Sequence, residues 1–348
     1  MNLANLLKRV SIWFCLAVLA CLVSCKPDVD IYADYKQVPV VYGLLDANAD
    51  TNFIKITRAF YTTENIEEVA LNPDSSNYPG KLDARLVEFC NGDSIREIIL
   101  DTITIFNKEQ GAFYAPAQKL YYTTEQLRMN TEEKSYRYKL KVVLPDQVLT
   151  AETDMVGDAN YGVQSLAVDF SLIYFDAASR PFLFRPATNG VFYDVSMTFT
   201  FKEQRTPDGD SVPRTMQWRI GIFHDYYMAL AMEYDCYVFR YRPEHFYETL
   251  EDFIGADTSI VGLKRYLGDY PVEVIITAGG KELRQYVHAN DPSWGFHPGN
   301  NEMTLIHGGY GVFSSRMTSR QGVRLAGETL PDLLRDPRWG FVFIGGRE

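Results

Sequence analysis

The sequence predicts a mainly β chain in two parts, and three observations carry that expectation. Apolar runs are short, alternate with polar residues and are rich in Val, Ile, Thr, Tyr and Phe, the pattern of half-buried strands. Clusters of Asn, Asp, Gly and Pro punctuate those runs as turns do. One clear segment repeats its apolar residues at three- and four-residue spacing, as a helix does.

Taken in order, "VPVVYGLL" (38–45) is an apolar β-branched run and "DANADT" is turn chemistry. "NFIKITRAF" (52–60) then alternates, placing Ile54, Ile56 and Phe60 on one face. This is a strand, a short connection and a second strand. A polar loop is expected at 71–80. "LDARLVEFC" and "SIREIILDTI" flank "NGD", and Asn-Gly suits a two-residue turn at positive φ, so the pair reads as a hairpin. "SYRYKLKVVL" (135–144) and "VLTAET" (148–153) form another hairpin around "PDQ". Short strands at this spacing predict an immunoglobulin-like β-sandwich over residues 38–156.

The Gly/Asn/Asp-rich "VGDANYG" (156–162) marks the expected boundary with a second β-rich domain, residues 157–348. Its strands are "GVFYDVSMTFTFKE" (190–203), "RTMQWRIGIF" (214–223), "YDCYVFRY", "PVEVIITA" (271–278), "GYGVFSS" (309–315) and "WGFVFIG" (339–345). The helical insertion covers 243–267, with Phe246, Leu250 and Phe253 on one stripe and a break near Gly255 that divides it into two helices.

The address is written ahead of the fold, in "LAVLACLVSCKPDVD" (16–30). Lys8 and Arg9 precede about a dozen apolar residues, Ile12 to Val23, a length that suits a secretory signal and not a bilayer span of ~20 residues. Leu22, Val23, Ser24 and Cys25 resemble the bacterial lipobox. The resemblance implies a signal peptide of residues 1–24, cleavage after Ser24, and acyl chains on Cys25. Two or more such chains anchor stably where one does not. The alternatives are an uncleaved anchor or a plain signal peptide. Residues 25–37 read as a tether reaching at most about 40 Å. Their aspartates resemble surface-export signals or serve as solvated spacer.

Losing Lys8 and Arg9 with the signal takes the formal charge from −11 to −13. An acidic chain without a basic run has no footprint for nucleic acid, so membrane attachment is expected to rest on the lipid. An apolar content of 46% excludes disorder. Of five cysteines, Cys15 and Cys21 leave with the signal and Cys25 takes the lipid. Cys90 and Cys236 remain, as a candidate disulfide or as two buried thiols.

"VVYGLLD…FIKITRAF", "YRYKLKVVLPDQVLTAET" and "HGGYGVFSSR" resemble Bacteroidetes-type outer-membrane lipoproteins. These have an N-terminal immunoglobulin-like β-domain and a second β-rich domain of unknown function. The resemblance spans nearly the whole mature chain. It implies an outer-membrane location and a role beside uptake receptors or surface assemblies, and it implies no reaction.

No cofactor or metal is expected, since phosphate-binding, zincin, nucleophile-elbow and EF-hand patterns do not occur. "HGGYG" (307–311) is an anion-binding turn or a tight turn before a strand. Asp208 and Asp210 are calcium ligands or part of a hairpin loop. Glu248, Glu251 and Asp252 are a carboxylate cluster for glycoside hydrolysis or a solvated helix face. His224, His245, His288, His297 and His307 share no metal-ligand spacing. The candidate binding loop is "VHANDPSWGFHPGNN" (287–301), with His288, Asp291, Trp294, Phe296 and His297, and the other reading makes its aromatics a lid. The expected function is therefore a lipid-anchored, non-catalytic envelope protein that binds a protein partner or a glycan. The alternative is a glycan-acting hydrolase whose carboxylate pair the sequence does not single out.

Overall fold

The structure, a computed structural model, describes residues 38–60, 65–159, 172–173, 175, 181–224, 229–231, 236–255, 262–290, 305–326 and 328–344. It is mainly β. Among the described residues the strands form sheets of eleven, four and three strands.

The first two predicted strands are present as β1 (Val38–Asp46) and β2 (Asn52–Ala59), antiparallel neighbours. Two short helices follow, α1 (Ile66–Ala70) and α2 (Pro73–Ser76), the second of them inside the segment 71–80 expected as a loop. Each is started by an asparagine, Asn65 and Asn72, whose side chain accepts a hydrogen bond from a backbone N–H two residues on. The Asn-Gly hairpin joins β3 (Asp83–Cys90) to β4 (Asp93–Ile99), with Asn91 at φ 51° and Gly92 at φ 97° as a two-residue turn of this kind demands. The expected strand "SIREIILDTI" is broken. Leu100 is fully buried where the chain leaves the four-stranded sheet, and β5 (Asp101–Ile105) joins the long one. β6 (Gln118–Thr123) follows, and the last predicted hairpin is β7 (Tyr136–Val143) with β8 (Val148–Asp154).

The arm β1-β2-β6-β5 thus faces the sheet β4-β3-β7-β8. Alternation turns Val41, Leu45, Ile54 and Ile56 from one sheet, and Leu86, Leu140, Val142 and Leu149 from the other, into one core. Two buried tyrosines close it with their polar tips satisfied: the Tyr121 hydroxyl accepts from the Leu82 N–H, and that of Tyr138 from the Arg128 N–H. Burial pushes the Tyr138 phenol up to about 12. The outer face of β7 and β8 is solvated and paired, Arg137 to Asp154 and Lys139 to Glu152.

The second part adds β9 (Leu172–Ile173), β10 (Pro181–Phe184), β11 (Phe192–Gln204), β12 (Val212–His224), β13 (Ala229–Ala231) and β14 (Cys236–Arg240). Helix α3 (Pro243–Ile254) ends at Gly255, whose φ of 68° suits glycine. The second expected helix is corrected: Lys264–Leu267 is a strand, β15, because Arg265 and Leu267 alternate inward between β11 and β18 (Phe341–Phe343). β16 (Val272–Gly279), α4 (Lys281–Asn290), β17 (Tyr310–Leu325) and α5 (Thr329–Arg335) complete the order. Phe246 of α3 stacks on Phe175 at 3.9 Å and meets Phe199 and Trp218 edge-on or tilted, so the helical stripe packs on the sheet as its spacing requires.

One strand pair joins the two parts. β1 runs parallel to β17, from Val40 beside Tyr310 to Asp46 beside Arg316, so a single sheet passes through both. The expected boundary is correspondingly no exposed linker over its described residues. Val156 and Ala159 are fully buried, and their N–H groups donate to Ser315 and Ser319 of β17, each at 3.1 Å.

Candidate functional site

Among the described residues the sequence-derived candidates do not converge. Cys25, Asp291, Trp294, Phe296 and His297 lie outside the described residues. His288 sits half-buried on α4, so the start of the expected loop is helical through Asn290. Leu283, Tyr286 and Val287 at helical spacing were the available signal. Cys90 and Cys236, on strands of two different sheets, are not bonded to each other. Asp208 and Asp210 are exposed on a turn that Gln204 holds by donating to Pro207 and Gly209 carbonyls. Glu248, Glu251 and Asp252 are all on the exposed face of α3, with Arg338 3.7 Å from Glu251. Among the described residues no group of three or more His, Cys, Asp or Glu side chains is placed to hold a metal ion.

"HGGYG" has a different task. His307 pairs through its backbone with Thr150 of β8, and Gly309 and Gly311 press against the backbone of β1. Beyond them the seam is polar and filled. Ser314 and Thr153 donate to the buried Glu282 carboxylate, and Ser315 donates to the Asp154 carbonyl at 2.7 Å. These groups satisfy one another, as buried polar groups must, and they hold α4 to the sandwich.

The cleft with the best claim to a ligand lies past the C-terminal end of β1. It encloses about 580 Å³ between the β1–β2 turn (Asp46, Asn48), the segment Asp158–Ala159, and Thr318 to Gln321 of β17. Its two carboxylates are fixed. Asp46 accepts from the Asn48 N–H at 3.0 Å and has Arg316 at 3.5 Å, while Asp158 accepts from the Ser319 hydroxyl. Asn48 donates to the Thr318 carbonyl, bracing the turn against β17. Held carboxylates flanked by Asn, Gln and Arg side chains offer oriented acceptors and donors to a hydroxyl-rich ligand or a polar peptide. Sequence reasoning missed this set because its members come from three distant segments. "DANADT" reads correctly as a turn, and nothing local says that β17 will lie beside it.

A scan against protein-family models finds none that matches the chain, and no curated protein matches it.

Proposed function

We propose that this chain is a lipid-anchored protein of the cell envelope that binds a glycan or protein partner in the cleft beside Asp46 and Asp158. The observation that carries the reading is the "LVSC" box at 22–25, followed by only a short stretch before a β-rich fold. Geometry supports the division of labour. β1 begins next to the tether at Val38 and ends at the cleft with Asp46, so its nine residues separate the end of the tether from the cleft by roughly 25 Å.

Cys25→Ala is expected to abolish acyl incorporation and move the protein from the membrane to the soluble fraction. Equal labelling of mutant and parent overturns the anchor. For the cleft, Asp158→Ala is expected to weaken glycan-array binding at least tenfold while stability stays within about 1 kcal/mol, because Asp158 is exposed. An array on which the parent binds nothing, with a protein captured from detergent-solubilised envelopes instead, assigns the cleft to a protein partner. The hydrolase alternative would have to use Asp46 and Asp158 here. Their engagement with Asn48, Arg316 and Ser319 suits fixed acceptors better than a proton-transferring pair.

A further inference from the structure

The end of the sandwich nearest the tether is unusually apolar. Strand register shows which groups share it. Val38 lies opposite Ala59, β6 runs antiparallel to β2 and so begins at this end with Gln118, and Gln118 lies opposite Ile105. The chain then leaves β5 at Phe106, and the loop back to β6 carries Phe113. Arg58, opposite Pro39, donates to the Asp74 carbonyl and holds α2 at the same end. The Tyr114 N–H donates to the Ala70 carbonyl at 3.0 Å, which joins that loop to α1. Four large apolar side chains therefore gather here: Ile66, Leu71, Phe106 and Phe113, exposed by 63, 51, 73 and 52%. Lys108 sits among them, its ammonium 5.7 Å from the Phe113 ring centre and bonded to the Tyr114 carbonyl.

We infer that this end is a membrane foot, in which Ile66, Leu71, Phe106 and Phe113 enter the headgroup region of a neutral lipid surface. The inference rests on the acylated-Cys25 reading, and the position of the tether supplies the occupant. Cys25 stands thirteen residues before Val38, so the lipid surface lies within about 40 Å of this end of the sheet. A tether of that length makes the contact intramolecular, and a patch too weak to bind vesicles alone becomes populated. Aromatic and aliphatic groups flanked by a lysine suit the interface between acyl chains and headgroups. Glu67, Glu68, Asp74 and Glu109 flank the foot, which selects zwitterionic over anionic lipid. The cleft at the far end of β1 then faces away from the bilayer.

The test uses the acylated mature chain in phosphatidylcholine vesicles that carry spin-labelled phosphatidylcholine. A nitrobenzoxadiazole probe is attached at Phe113→Cys or, for comparison, at Ile95→Cys. Ile95 is exposed on β4 at the other end, where Arg96 donates to the Gln126 carbonyl and Gln126 donates to Ala47. Both variants carry Cys90→Ser, and Cys236 is buried. Quenching at position 113 is expected to exceed that at 95 at least threefold, and Leu71→Asp with Phe106→Asp should bring it down to the level at 95. Equal quenching at both positions overturns the foot and assigns the patch to a protein partner. A mature chain whose mass shows no acyl group, and which fails to float with vesicles, overturns the anchor reading itself and the foot with it.

Discussion

Gly311→Ala is expected to lower the stability of the fold by at least about 3 kcal/mol, the range of a strained backbone combined with a direct clash. Gly311 lies at φ 109°, where L side chains are rarely found, and an added Cβ would stand 1.9 Å from the Val41 carbonyl oxygen. The methyl has nowhere to go, because Val41 is the register partner of Gly311 in the parallel pair that joins the two parts of the chain. Relief requires β1 and β17 to separate, and that would expose Val41 and Phe313, both fully buried. Urea denaturation measures the loss. Gly322→Ala on the same strand is the control: its nearest neighbour, the Tyr270 Cβ, lies 3.4 Å from the added Cβ. It should stay within about 1 kcal/mol. A Gly311→Ala midpoint equal to that of the parent would mean that β1 does not pair with β17.

Glu203→Ala is expected to cost about 3–5 kcal/mol, since removing one member of a buried ion pair leaves its partner's charge uncompensated. Glu203 and Arg265 are both buried on adjacent strands. The carboxylate accepts from Arg265 and Arg214 at 2.9 Å each and from Arg205 at 3.0 Å. Arg265 also donates to the Trp339 carbonyl, and Arg214 to the carbonyl of Phe253 near the end of α3, so the cluster ties β11, β12 and β15 to that helix. Burial alone would raise the Glu203 carboxyl, but the hydrogen bonds and charges of Arg214 and Arg265 outweigh it and hold it below the usual range. A depressed folded-state value stabilises the fold above the ordinary glutamate value of about 4.3 and ceases to do so as the pH falls through the folded-state value. The gap in stability between the parent and Glu203→Gln is therefore expected to be constant from about pH 6 to 8 and to narrow on acidification below about pH 4. A gap that widens in acid would show that Glu203 is protonated in the folded protein at neutral pH.

What could be read from the residues alone is what short-range chemistry controls. Alternation placed Ile54 and Ile56 inward, Asn91-Gly92 set its hairpin, and Phe246 and Leu250 marked the buried stripe of α3. Each signal acts over a few residues, where backbone φ preference and side-chain period decide the outcome. The lipobox at 22–25 is local in the same way, and on it the expectation of an anchor rests entirely. The tertiary structure alone decided that Leu100 is a crossing between sheets, that 264–267 is a strand, and that β1 lies parallel to a strand some 270 residues away. It also drew Asp46 and Asp158 to one cleft, Glu203 into a cage of arginines, and four apolar side chains to the end of the sheet nearest the tether. Such juxtapositions depend on which sheet edges and buried faces complement one another across the whole chain, a long-range choice that no window of a few residues encodes.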